Sequence, residues 1–226
     1  MDTDLGGLNV TSSCEPRAGS PSDPLVRSLR PAAACTCRDE AKGHSILGVQ
    51  QPTATLAARI YERAHLTGEF RLRSGTVSSE YFDKYLFESD PELLCLIAHA
   101  LVDLIPPGID AIAGLELGGI PLATMVSQLS GIPALFVRKQ AKPYGTRRLA
   151  EGGEIDGRRL AVIEDVITTA GQLIQSCREL QEQGAEIAAV LCVIDREAGG
   201  SENLAAEGHE LKPVFSMQAL QSASGS

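Results

Sequence analysis

Apolar positions begin to recur at helical spacing near residue 53, where Leu56, Ile60 and Ala64 mark one face and Thr53 or Thr55 is a candidate cap. Residues 68–73 alternate like a strand and break at Ser74 and Gly75, and residues 76–87 are mixed and rich in aromatics. Asp90 followed by Pro91 predicts a helix start, with Leu94, Ile97, Leu101 and Leu104 as the apolar face and Ala98 beside it. Residues 110–114 read as a strand, 115–119 as a glycine-containing loop, 120–129 as a helix ended by Gly131, and 132–137 as a strand. An apolar run at 160–163 reads as a buried strand. A helix follows it with Leu173, Ile174, Cys177 and Leu180 on one face, ended by Gly184. The near-continuous apolar run at 187–194 suits a strand covered on both faces. Residues 204–207 read as helical, 213–217 as a short strand, and 221–226 as a frayed tail. Strands alternating with helices predict an α/β fold with a central parallel sheet flanked by helices.

Residues 1–50 have no such period. Ser, Pro, Gly, Thr and Ala dominate, which predicts a disordered low-complexity extension ahead of a folded domain at 51–220. The 226 residues carry a formal charge of −9 and only 4% aromatics with no Trp, against a nucleic-acid-binding surface. No apolar run reaches the roughly 20 residues of a membrane span, and the first residues lack a signal-peptide pattern, so a cytoplasmic protein is expected. Cys95, Cys177 and Cys192 fall in apolar stretches as core thiols, and Cys35 and Cys37 are too close together to suggest a zinc site.

The chemistry concentrates after the 160–163 strand. Glu164 and Asp165 are adjacent carboxylates, followed by the small, hydroxylated loop Thr168, Thr169, Ala170, Gly171 and then a helix. Backbone N–H groups of such a loop and the positive end of the helix hold an anion, and the carboxylates accept from a sugar diol. The expected ligand therefore carries a phosphate beside vicinal hydroxyls. The alternative is an ordinary strand, turn and helix with solvated acids. The stretch is neither a Walker loop nor a dinucleotide fingerprint. Upstream, residues 138–153 form a basic, glycine-bearing segment with Arg138, Lys139, Lys142, Arg147 and Arg148. It reads either as a solvated loop or as a mobile one closing over an anion. Gly118 and Gly119 are a weaker second candidate anion loop, and His99 reads as a surface or satisfied histidine.

Residues 164–172 (Glu-Asp-Val-Ile-Thr-Thr-Ala-Gly-Gln) resemble the phosphoribosyl-diphosphate (PRPP) signature of the type I phosphoribosyltransferases. Residues 67–75, the loop 138–152 and the Asp195-Arg196-Glu197 turn are similar to the hood strand, flexible loop and base-site turn of the orotate phosphoribosyltransferases. The resemblance covers about residues 55–218. It implies a type I phosphoribosyltransferase fold with a small N-terminal hood, transfer of the phosphoribosyl group to orotate in pyrimidine biosynthesis, Mg²⁺, and a homodimer whose loop 139–153 reaches the partner's site. By position it implies PRPP contacts from Arg73, Leu117, Gly118, Arg138, Lys139, Lys142, Tyr144, Glu164, Asp165, Val166, Ile167, Thr168, Thr169, Ala170, Gly171 and Gln172. Phe82, Asp83, Thr168 and Arg196 are implied for orotate, and Lys142, Glu164 and Asp165 for catalysis. No side chain is assigned to a resident metal. Ala170 stands where the family usually has Gly, with Gly171 expected to supply the flexibility next door. Pro143 replaces a usual Asp, Gly118 stands where some members have Lys, and Tyr144 where others have His. The alternatives are a purine or xanthine phosphoribosyltransferase and a non-catalytic PRPP-sensing regulator.

Overall fold

The computed structural model describes residues 53–71, 75–139 and 149–225. The extension at 1–50, Arg73, and the loop residues Lys142, Pro143 and Tyr144 lie outside the described residues.

Helix α1 (Thr53–Ala64) buries Leu56, Ile60 and Ala64 as their spacing demands. It leads into β1 (His65–Arg71), which begins earlier than the alternation at 68–73 suggested and pairs antiparallel with β2 (Val77–Phe82). The aromatic segment that showed no period is thus half strand and half helix, the latter being α2 (Tyr85–Glu88). A two-stranded hood with mostly exposed side chains needs no apolar alternation, which is why β2 left no signal. Aromatic contacts hold it to the body: Phe82 lies between Tyr61 and Phe87, each ring centroid 6.4 Å away.

Helix α3 (Pro91–Val102) starts as expected, with Asp90 Oδ1 accepting from Glu92 N and Leu93 N at 3.1 Å each. Its buried face is Leu93, Ile97, Ala98 and Leu101, so Leu93 replaces the expected Leu94, which is half-buried. Then come β3 (Ala111–Leu115), α4 (Gly119–Ser130), β4 (Ala134–Val137), β5 (Ala150–Glu151), β6 (Arg159–Ile167), α5 (Gly171–Glu182), β7 (Glu186–Asp195), α6 (Gly200–Ala206), β8 (Leu211–Ser216) and α7 (Met217–Ser224). The tail is therefore helical past residue 220 rather than frayed. Ser216 Oγ caps α7 by accepting from Ala219 N at 3.2 Å, and α7 packs Leu220 into the core beside α1.

Six strands form one sheet in the order β5-β4-β3-β6-β7-β8, parallel except for β5 against β4. Successive side chains enter opposite layers: Ala161 and Ile163 of β6 pack with α1, α3, α4 and α7, while Leu160 and Val162 pack with α5 and α6. Strand β6 was expected to end at 163. It continues to Ile167 because β7 runs alongside it, pairing Glu164 with Cys192 and Ile167 with Asp195. Main-chain pairing is indifferent to side-chain polarity, so the acidic pair lies within the strand. From β3 the chain goes out to β4 on one side, and β6 then returns to β3's other side. Such a switch point opens a crevice at the carboxyl ends of the strands.

Candidate active site

A cavity of about 560 Å³ occupies that crevice, walled by the ends of β3, β4 and β6, the start of α5, and Lys84 and Tyr85 from the hood side. Of the residues singled out in the sequence, Leu117, Arg138, Lys139, Glu164, Val166, Ile167, Thr168, Thr169, Ala170, Gly171 and Gln172 line it. Asp165 and Gly118 sit immediately behind the wall. Phe82 is engaged in hood packing, and Asp83 fixes the next turn, its N donating to Ala64 O at 2.8 Å and its Oδ1 accepting from Tyr85 N at 3.1 Å. Arg196 is exposed beyond β7, and its N donates to Ile167 O at 2.9 Å, next to Thr168.

The loop between β6 and α5 is short, and Thr168 and Thr169 are exposed in it. Ala170 takes φ 60°, ψ 9° at the helix start and accepts from Ile174 N through its carbonyl at 2.9 Å. Gly171 is not among the residues with positive φ and opens α5 as its first helical residue, so the left-handed step falls on alanine itself, contrary to expectation. From outside, α6 presses on this loop. A Cβ at Gly200 would stand 2.6 Å from both Thr168 O and Ile167 Cγ2, so only glycine permits the approach. Across the cavity, Arg138 N donates to Leu149 O at 2.9 Å and Lys139 N to Glu116 Oε1 at 2.7 Å, which fixes the backbone of both cations at the end of β4. Leu117, exposed and following a cis peptide after Glu116, forms the rim.

Asp165 has no exposed surface. Its Oδ1 accepts from Val166 N at 2.5 Å, and Lys84 Nζ lies 2.5 Å from its Oδ2. Burial pushes this carboxyl up, but hydrogen bonding to Glu164, the Lys84 ammonium and Glu88 together hold it below its ordinary value. Glu88 is buried, and burial followed by the neighbouring Asp165 pushes its carboxyl to about 9. Burial and then Asp165 likewise push Glu164 well above the usual carboxylate range, and its Oε1 accepts from Asp165 N at 3.3 Å. Glu88 and Glu164 are thus biased toward their protonated forms and Asp165 toward its ionised form, beside Lys84. Lys84, Tyr85, Glu88 and Glu116 were not singled out in the sequence. A lone lysine among the aromatics of 81–87 was the only available hint.

The phosphoribosyl transferase domain model matches residues 88–217. An orotate phosphoribosyltransferase of Nocardioides sp. is 54% identical over 170 residues, covering 75% of this chain and 95% of that protein. The orotate phosphoribosyltransferase of Methanocella arvoryzae is 42% identical over 153 residues, covering 68% of this chain and 87% of its own length. The Mycobacterium tuberculosis orotate phosphoribosyltransferase in complex with PRPP superposes with a TM-score of 0.65 at 28% identity, covering 75% of this chain and 98% of that one. With the domain model matching more than half of the chain and these relatives aligned along nearly their whole length, this chain belongs to the orotate phosphoribosyltransferases.

Proposed function

We infer that the chain transfers the 5-phosphoribosyl group of PRPP to orotate, giving orotidine 5′-monophosphate and pyrophosphate, a step of pyrimidine biosynthesis. The observation that carries this reading is one cavity joining the turn at the start of α5, the acids at the end of β6, and Arg138 and Lys139 at the end of β4. PRPP presents a 5′-phosphate, a ribose diol and a diphosphate, one for each. The backbone at 168–172 and the positive end of α5 receive the phosphate. Asp165 and Glu164 accept from the ribose hydroxyls.

In the transfer, the bond from the ribose anomeric carbon to the diphosphate oxygen breaks and the electron pair leaves with pyrophosphate. The orotate ring nitrogen forms the new bond to that carbon and releases its proton to solvent. Positive character on the ribose develops near Asp165, and negative charge on the diphosphate develops toward Arg138 and Lys139. Lys142, on the segment outside the described residues, is proposed to add the cation that acts as pyrophosphate departs, with Arg73 and Tyr144 as further PRPP contacts. Orotate is proposed to meet the side chains of Thr168 and Arg196 and the backbone of Phe82 and Asp83, a reading supported by the Arg196 N to Ile167 O bond that sets Arg196 beside Thr168.

Magnesium is proposed as the cofactor, where it would neutralise the leaving diphosphate. Among the described residues no three His, Cys, Asp or Glu side chains group as a metal site. Glu116 and Glu164 are the carboxylates lining the cavity that would face such a cation, which would add positive charge beside that of Arg138 and Lys139 as the diphosphate leaves. A homodimer and a cytoplasmic location are proposed alongside. No described helix is long and apolar enough to cross a membrane. The test is orotate consumption with PRPP and Mg²⁺, with adenine, hypoxanthine, guanine, xanthine and uracil as competitors. Orotate should be consumed in preference to all five, and turnover of a purine in its place would overturn the reading.

A further inference from the structure

We propose that Lys84 is a positioning residue for PRPP, holding Asp165 ionised just behind the cavity wall through an ion pair that ties the hood to the end of β6. The proposal rests on the phosphoribosyl-transfer reading above. Asp165 is fully buried, and a positive partner offsets the cost that burial puts on its charge, in addition to the hydrogen bonds it accepts. Among the described residues the cation within ion-pair distance is Lys84, with Nζ 2.5 Å from Oδ2. The other titratable groups facing Asp165 are Glu88 from α2 and Glu164 on its own strand, which favour its ionised form by hydrogen bonding but bring no positive charge, and Cys192 on β7, a buried thiol.

The neighbours are built around this pair. Lys84 stands on the turn between β2 and α2, which Asp83 fixes at both its ends. Its ammonium also lies 5.4 Å from the centroid of the Tyr85 ring, which narrows the directions it can take. Gly118 supplies the room. A Cβ there would collide with the Asp165 carboxylate and stand 2.9 Å from Glu88 Oε1. Gly118 therefore brings only backbone against Asp165, and the positive charge comes from the hood. Lys84 also lines the cavity with its side chain 33% exposed, so it links the buried acid to the ligand space.

This assignment differs from a packing role in what it predicts for protons. With Lys84 neutralised, Asp165 keeps its burial and its acidic neighbours but loses its cation, so its carboxyl titrates higher. Ribose binding then fails at low pH and recovers as the pH rises. The experiment is calorimetric titration of PRPP, together with kcat/KM for PRPP from pH 5 to 9, on wild type, Lys84→Met, Lys84→Gln and Lys84→Arg. Circular dichroism serves as the check of folding, and Lys84→Gln stands in should Lys84→Met fail it.

The neutral variants should weaken PRPP by roughly tenfold or more near pH 6, the scale of losing the partner of a buried charge. Their acid limb should move upward, their KM for orotate should stay near wild type, and Lys84→Arg should restore the limb. An unmoved acid limb in a folded neutral variant, or a loss equal at every pH, overturns the proposal. Calorimetry reads PRPP directly, so a wild type that binds PRPP but does not consume orotate would strike the proposed function and leave Lys84 to be judged on binding.

Discussion

The Asn203 side-chain amide donates through Nδ2 to the carbonyl of Thr169 at 3.0 Å, so α6 braces the turn between β6 and α5 from outside the cavity. The bond fixes the direction of a peptide whose neighbours would hold the 5′-phosphate. Asn203→Ala should raise the KM for PRPP by roughly three- to tenfold, the worth of one neutral hydrogen bond, while kcat and the KM for orotate change little. Asn203 is exposed, so the melting temperature should move only slightly. Steady-state kinetics with each substrate varied in turn checks this, and an unchanged PRPP KM would mean the turn holds itself.

Ala170 gives a second test of the same turn. At φ 60° a residue with a Cβ costs about 1 to 2 kcal/mol. Glycine would relieve that, but it loses a buried methyl of about 0.8 kcal/mol and frees the unfolded chain. The terms nearly cancel, so Ala170→Gly should leave the melting temperature within a few degrees of wild type and PRPP affinity equal or modestly better. Ala170→Val puts a β-branched residue at positive φ and should destabilise by about 2 kcal/mol or more. Thermal melts of the pair decide it: tolerance of valine would refute the left-handed turn.

What the sequence made legible follows from which forces leave a pattern. Apolar runs at 160–163 and 187–194 disclosed the central strands because both faces are covered, and Asp90 with Pro91 disclosed a helix start because capping is local. The ends were less legible. Strand β6 runs on through two acids because its ladder with β7 is main-chain, and β2 shows no alternation because its sides face water. Helix α7 depends on a serine cap and a single buried leucine, Leu220. In the site, the acids and small-residue turn are contiguous and could be read together. Lys84 and Glu88 reach Asp165 only through the fold, some 80 positions away in sequence, and a lone lysine among aromatics does not by itself announce that meeting.

Glu88 gives the molecule a pH signature. Its carboxyl titrates near 9 in the folded chain against an ordinary 4.5, through burial first and Asp165 second. The folded state therefore binds a proton that the unfolded state has released between those values, and the stability this group contributes falls as pH rises through that window. Glu88→Gln keeps the shape and a donor toward Asp165 but removes the titration. Its melting temperature relative to wild type should rise progressively from pH 5 to pH 9. A difference independent of pH would show that Glu88 is ionised throughout.

The proposed dimer is tested by pairing two defects. Lys142 belongs to a basic, glycine-bearing segment, and PRPP is a dense anion. A lysine delivered by a closing loop helps most as pyrophosphate departs. Lys142→Ala should lower kcat by roughly 10²–10³, the scale for removing one charge-stabilising donor. Asp165→Ala breaks the ribose end of the site instead, so each homodimer should be nearly inactive. After subunit exchange, the mixed dimer holds one site with both defects and one with neither, provided the loop serves the neighbour. In that site an intact Asp165 comes from the Lys142→Ala subunit and an intact Lys142 from the Asp165→Ala subunit. Random exchange makes about half the dimers mixed, each with one working site of two, so roughly a quarter of wild-type activity should return. If the loop serves its own subunit, each site in the mixed dimer keeps a single defect and no activity returns. Native mass spectrometry establishes exchange independently, so an inactive mixture with proven mixed dimers places Lys142 in its own subunit's site.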